Sequence, residues 1–210
     1  MMAKEREDEK LDRFIKLAAD LRGHMCLGLP LGVKMAMKGL ELMEIDGKTK
    51  RDNLMVVVEN NKCPVDGIQV VTGCTAGSRK LTVYHYGKSA AVFYDGLSGK
   101  GYRVMTKPDF IDQAIRLAVR DGLMKEGEHL EELSQLERKV MMNAFMKMSS
   151  DELLDSQRVS VHRDLLLPSR KNKRTWCSEC GEEIMDGQGV KRGNAIVCGS
   201  CYHGSYYDAL

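Results

Sequence analysis

Two Cys-x-x-Cys pairs near the C-terminal end, Cys177 with Cys180 in "CSECG" and Cys198 with Cys201 in "CGSC", stand 17 residues apart. Two intervening residues let one tight turn aim both sulfurs at a single ion, and two such turns complete a closed, tetrahedral thiolate site suited to zinc. Gly181 frees the first turn to take positive φ, and "GVKRGNAIVC" between the pairs reads as a hairpin over Gly193 and Asn194. Redox chemistry is the competing use of Cys-x-x-Cys. Such centres open a helix in a βαβ context, for which the segment after residue 168 is too short. His203 is an alternative to Cys201 as fourth ligand. So short a module has almost no core, so a structural Zn ion is expected to fold it as a zinc ribbon or treble clef.

Three cysteines remain. Buried free cysteine commonly packs as a small hydrophobe, but the neighbourhoods here suggest chemistry. Cys26 lies in "RGHMCLGLPLG", just ahead of a helix expected from Pro30, where backbone N–H groups and the helix dipole favour a thiolate. His24, one residue removed from Cys26, can reach the same ion from this loop. Cys63 stands in "NNKCPVDG", and Cys74 in "TGCTAGSRK", among glycines with Arg79 and Lys80 close by in sequence. Imidazole plus thiolate is a first shell for zinc or another late transition metal, with an open position where protein ligands number fewer than four. His24, Cys26, Cys63 and Cys74 are therefore the candidate core metal or ligand site. The catalytic residues, if the core reacts, are not legible.

Periodicity supplies the elements that must position these groups. Apolar residues at helical spacing predict helices over 10–21, stopping at Gly23, and over 30–44, so the His24–Cys26 stretch is a loop between helices. "NLMVVVE" predicts a strand buried on both faces. A short helix with Asp66 as its N-cap follows over 66–71. Residues 80–95 read as a hairpin around Gly87 and Lys88, "GYRVMT" as a further strand, and helices are expected over 108–122 and 128–148. The fold class is α+β, a mixed or antiparallel sheet with helices plus the small C-terminal zinc module. The basic run over 168–174 divides a 1–168 core with a helical arm from a 169–210 linker and zinc finger.

With 210 residues, 43% of them hydrophobic, the chain can bury one sizeable core and still carry a small module. Thirty-two Lys and Arg balance 30 Asp and Glu, so no global field draws it to nucleic acid or membrane. A nucleic-acid role would rest on Arg170, Lys171, Lys173 and Arg174 alone, and the acidic residues that follow weaken it. An odd count of seven cysteines, four of them in metal spacing, fits reduced thiols, and no apolar run suits a signal peptide or membrane span. A cytoplasmic location is expected.

"GHMCLG", "NKCPVDGIQVVTGCTAGSRKL" and "YGK" together resemble the FmdE family of formylmethanofuran dehydrogenase components, whose core carries a His-Gly-His-x-Cys-Pro-Gly loop and a Cys-x-x-Asp-Ala-Ile-Gln…Thr-Gly-Cys-Thr-x-Gly segment. The likeness covers residues 10–150. His24, Cys26, Cys63, Asp66, Gln69, Thr72, Cys74 and Thr75 match the motif. Arg22 stands where the family has its first histidine, Leu27 where it has proline, Gly67 where it has alanine, and Ser78 where it has lysine. The resemblance implies an α+β core forming an intertwined homodimer, with these motifs gathered into a metal site. The expected function is that of a metal-binding accessory protein for a molybdenum or tungsten enzyme, with a second transition metal in the core. The alternative is a metal-sensing regulatory or interaction protein whose zinc finger contacts protein or nucleic acid.

Overall fold

The computed structural model describes residues 7–45, 52–122, 125, 135–162 and 174–208, and the chain divides into two compact units, Met1–Val161 and His162–Leu210. The first unit is α+β. Helices α1 (Glu7–Arg22) and α2 (Gly28–Leu42) precede strand β1 (Leu54–Val58), and α3 (Pro64–Thr72) leads to β2 (Leu81–Val83). Strands β3 (Ala90–Asp95) and β4 (Lys100–Thr106), helices α4 (Phe110–Arg120), α5 (Gln135–Lys147) and α6 (Ser150–Leu153), and strand β5 (Leu154–Ser160) complete it. The five strands form one mixed sheet in the order β2-β1-β3-β4-β5, with β1 and β2 parallel and the other neighbours antiparallel.

β1 lies inside the sheet, and all five of its residues are buried. Leu54, Val56 and Val58 join Ala91, Phe93 and Val104 in one apolar cluster with Leu29, Val33 and Met35 of α2 and Ile68 and Val71 of α3. Glycines bring these layers close. A Cβ on Gly39 would lie 2.3 Å from the Phe93 ring, and one on Gly32 would lie 2.0 Å from the Pro64 carbonyl oxygen. Gly67 meets α2 from the other side, where its Cβ would stand 2.7 Å from the Leu29 oxygen. Helices α2 and α3 therefore cross backbone to backbone near their N-termini, an approach that only residues without a Cβ permit.

The paired strands differ from those expected over 80–95. β2 and β3 do not form a hairpin; they flank β1 on opposite edges. The segment between them passes over the end of β1, where the Glu59 carbonyl accepts from the N–H groups of both Tyr86 and Lys88. The true hairpin is β3–β4, closed by Asp95, whose Oδ1 accepts from the N–H groups of Leu97 and Ser98, and by Gly99 at φ 73°. β5 has no counterpart among the elements that periodicity predicts. It pairs with β4 along seven residues, yet only Leu154 of it is buried. α2 starts two residues ahead of the expected position, with Pro30 in its first turn, and α3 starts at Pro64, so Asp66 is in the first turn and not the N-cap.

At the end of β1, buried Glu59 takes a two-pronged contact from Arg103, Nε to Oε1 at 2.6 Å and Nη2 to Oε2 at 2.8 Å. Buried Lys34 of α2 donates to the carbonyls of Met146, at 3.0 Å, and Met148, which binds α2 to the C-terminal end of α5. Burial pushes the Lys34 ammonium below its ordinary range.

The second unit contains β6 (Thr175–Trp176) paired with β7 (Glu183–Ile184), the hairpin β8 (Val190–Arg192) with β9 (Ala195–Val197), and helix α7 (Gly199–His203). Gly193, at φ 61°, turns the expected hairpin. The basic residues Arg170, Lys171 and Lys173 lie outside the described residues, as does most of the first part of the expected helix over 128–148. Among the described residues no helix is long and apolar enough to cross a membrane.

Candidate functional site

The second unit collects its four cysteines at one point. The sulfurs of Cys177, Cys180, Cys198 and Cys201 all lie within 4.8 Å of one another, and among the described residues they are the one group of three or more Cys, His, Asp or Glu ligand atoms that could share an ion. The first pair sits in the knuckle between β6 and β7, where Gly181 at φ 76° lets its N–H return to the Cys177 carbonyl. The second pair opens α7, with Cys198 as N-cap accepting from the Cys201 N–H. A helix under the second pair is the treble-clef arrangement and not the ribbon. His203 lies at the far end of α7, ring to ring with Tyr202, and is not part of the group.

Electrostatics fits a cation here. The Cys180 N–H, foremost, holds the Cys177 thiol down at about 6, while the neighbouring Cys198 sulfur pushes Cys201 up. Four sulfurs this close cannot all carry charge against one another. A divalent cation held by the four sulfurs would remove that conflict by replacing the protons. Arg192 reaches both knuckles, donating to the Glu179 carboxylate and the Cys201 carbonyl, and its guanidinium stands over the Tyr202 ring. Arg174 is likewise held by Glu183, with Nη2 2.7 Å from Oε2.

In the first unit the close crossing of α2 and α3 decides which expected residues meet. Cys26 precedes α2, and Cys63 is the N-cap residue of α3. A Cβ on Gly28 would stand 2.7 Å from the Cys63 Cβ, so only glycine lets the two helix starts approach this far. Cys63, 37 positions after Cys26 in sequence, is thereby brought against the start of α2. The Leu29 N–H of α2 donates to the Cys26 carbonyl oxygen at 3.2 Å. Burial, foremost, raises the Cys26 thiol above its ordinary range. Arg22 stands beside both thiols and is anchored to Asp66, Nη1 to Oδ2 at 2.7 Å, with Nε 3.3 Å from exposed His24 Nε2. The Asp66 carboxylate raises the Arg22 guanidinium further.

Cys74 lies elsewhere. It is 1% exposed within the apolar cluster, and its thiol donates to the Leu54 carbonyl at 3.5 Å. A cavity of about 230 Å³ beside Cys63, walled by Leu27, Leu31, Lys62, Phe110 and Phe145, carries no signal in the sequence pattern. Local spacing cannot announce it, because its walls come from separate segments of the chain.

An α+β core with a thiol pair between two helix starts, followed by a four-cysteine module, defines the class. A family model described as "FmdE, Molybdenum formylmethanofuran dehydrogenase operon" matches residues 21–155, and the chain belongs to this family. A "Probable S-adenosyl-L-methionine-binding protein" of Archaeoglobus fulgidus is 30% identical over 208 residues, which are 94% of this chain and 54% of that protein. The chain thus spans about half the length of that relative. The crystal structure of a tungsten formylmethanofuran dehydrogenase FmdE-like protein from Syntrophus aciditrophicus superposes with a TM-score of 0.68 at 22% identity, covering 99% of this chain and 100% of that one, and shows the same fold.

Proposed function

We propose that this is a metal-binding accessory protein of the FmdE type, in which Cys177, Cys180, Cys198 and Cys201 hold a structural zinc and the core presents Cys26, Cys63 and His24 to a second metal or small ligand. The observation that carries the reading is the convergence of four sulfurs within 4.8 Å in a module with almost no apolar core. Family membership supports the accessory role toward a molybdenum or tungsten enzyme, and the protein acts in the cytoplasm as a homodimer. The carboxylate partners of Arg174 and Arg192 favour a protein over a nucleic acid as the module's contact.

The test is elemental analysis of the purified full chain. Zinc is expected at one ion per chain, lost in Cys198→Ser; a second metal, when supplied, is expected to be lost in Cys26→Ala/Cys63→Ala with the zinc retained. Zinc content unchanged in Cys198→Ser would overturn the reading. A second reading takes the core as a small-molecule site. The Archaeoglobus relative's name and the apolar cavity beside Cys63 favour it, and S-adenosyl-L-methionine raising the melting temperature of the wild type but not of Phe145→Ala would establish it.

A further inference from the structure

The cavity beside α3 joins an apolar interior to polar groups left without work in the fold. Leu27, Leu31, Pro64, Phe110, Ile111 and Phe145 wall a space of about 230 Å³, and the Phe110 and Phe145 rings lie 5.8 Å apart. Its polar lining includes Asn60, Lys62 and Ser89. Asn60 is taken up by the fold: its Oδ1 accepts from the Lys62 N–H at 3.0 Å, and its Nδ2 donates to the Lys88 carbonyl at 2.6 Å. These two bonds tie the loop ahead of α3 to the segment ahead of β3, so the opening is fixed by the backbone. Lys62 is exposed and Ser89 half-buried, and neither the Lys62 ammonium nor the Ser89 hydroxyl has a partner among the described residues. Asn60 follows β1 and Lys62 precedes α3, which places the cavity at the carboxyl end of the first strand of the parallel β1–α3–β2 crossover. Folds with such crossovers commonly hold ligands at that end.

We propose that this cavity binds a small apolar carboxylic acid, its ring or branched chain packed on Phe110 and Phe145 and its carboxylate met by Lys62 and Ser89. Size sets the first half of the assignment. An apolar cavity of about 150 Å³ takes benzene, so this one has room for a single ring or a short branched chain and its acid group. Charge sets the second half. The ammonium and the hydroxyl supply one donor for each carboxylate oxygen, whereas a cationic ligand would meet Lys62 with like charge and a purely apolar one would leave both donors without an acceptor from the ligand. An acid in this cavity is a form of the small-molecule reading of the core and rests on it, while requiring nothing of the metal reading.

The test titrates the zinc-loaded full chain with benzoate, benzyl alcohol and benzylamine, three probes with one ring and negative, zero and positive charge, while the amide resonances of Lys62, Ser89 and Ile111 are followed. Benzoate is expected to shift them saturably and to bind roughly tenfold tighter than benzyl alcohol, the worth of one charge-assisted hydrogen bond, with benzylamine the weakest. Lys62→Met, at an exposed position that folding tolerates, is expected to bring benzoate to the level of benzyl alcohol and leave the alcohol unchanged. Benzoate binding no tighter than benzyl alcohol in the wild type, or an advantage that survives in Lys62→Met, would overturn the proposal. A parallel titration with S-adenosyl-L-methionine separates the readings. Shifts from that ligand with none from benzoate sink the acid and leave the small-molecule site standing, and silence from every probe sinks both.

Discussion

The two units hold themselves together by different means. In the second, the apolar cluster consists of Cys177, Ile184 and Val197 with Val190, Cys198 and Cys201 packed against it, so half of its members are the candidate ligands themselves. In the first, β1 and the helices above it bury a continuous cluster from Phe14 to Leu154 that includes Cys74, and the candidate thiols Cys26 and Cys63 sit at helix starts, not at the centre. A unit of the first kind owes its fold to its site; a unit of the second kind owes its site to its fold. Breaking the site and breaking the packing should therefore have opposite consequences in the two halves.

The largest effect is expected from metal removal. Structural zinc contributes on the order of 10 kcal/mol to modules of this size, more than three buried apolar residues supply. Chelation of the full chain, or Cys177→Ser, is expected to collapse the amide dispersion of residues 174–208 in a two-dimensional NMR spectrum and leave that of β1, β3 and β4 intact. Dispersion of the second unit unchanged after quantitative zinc removal would erase the contrast.

Next in size is the Glu59–Arg103 pair. Removing one partner of a buried ion pair costs about 3 kcal/mol, the lower end of the usual range being apt because the Arg103 side chain is 22% exposed. Glu59→Ala is expected to lower the denaturation midpoint of the first unit while zinc stays bound to the second. A concerted loss of both would show that the units are not independent.

Gly32→Ala sharpens the comparison most directly, because it perturbs packing in order to disturb a site. With its Cβ 2.0 Å from the Pro64 oxygen, α2 and α3 must separate, at about 1–3 kcal/mol. The urea midpoint of the first unit should fall, whereas Gly193→Ala in the second unit, where a Cβ meets nothing within 4 Å, should leave it untouched despite the strained turn. Equal midpoints in Gly32→Ala and wild type would mean that the crossing does not need glycine.

The same contrast explains what the sequence could reveal. The four-cysteine group is legible because its spacing is local: each pair is one turn, and Gly181 and Gly193 mark the turns that join them. The strand over 54–58 and the helices around His24 are legible by periodicity. The approach of Cys63 to the start of α2 is not, since it depends on Gly28, Gly32 and Gly67 standing where the two helices cross, and nothing in either helix announces its neighbour. Cys74 has the same glycine-rich surroundings in sequence yet packs against β1 on the Leu54 carbonyl. β5 escapes because an edge strand with one buried residue carries no alternation, and β2 imitates a hairpin strand because a parallel partner reached through α3 leaves the same local pattern.

The smallest expected effect concerns the joint between α5 and β5. Ser149 and Glu152 form a capping box: Ser149 Oγ accepts from the Glu152 N–H at 3.2 Å, and Glu152 Oε2 accepts from the Ser149 N–H at 2.7 Å. Ser149→Ala should cost about 1 kcal/mol. The Ser149 N–H, foremost, holds the Glu152 carboxyl below its ordinary 4.5. A carboxyl depressed in the folded state stabilises fully above its unfolded value and ceases to do so as pH falls through the lower, folded one. Wild type and Glu152→Gln should therefore differ in urea midpoint at neutral pH, begin to converge as pH falls past about 4.5, coincide only below the lower folded value, and leave the zinc content of the second unit the same throughout. A difference that persists in acid would assign the joint's stability to the helix geometry alone. Convergence assigns it to the ionised carboxylate, a charge-based element inside a unit otherwise built on apolar packing.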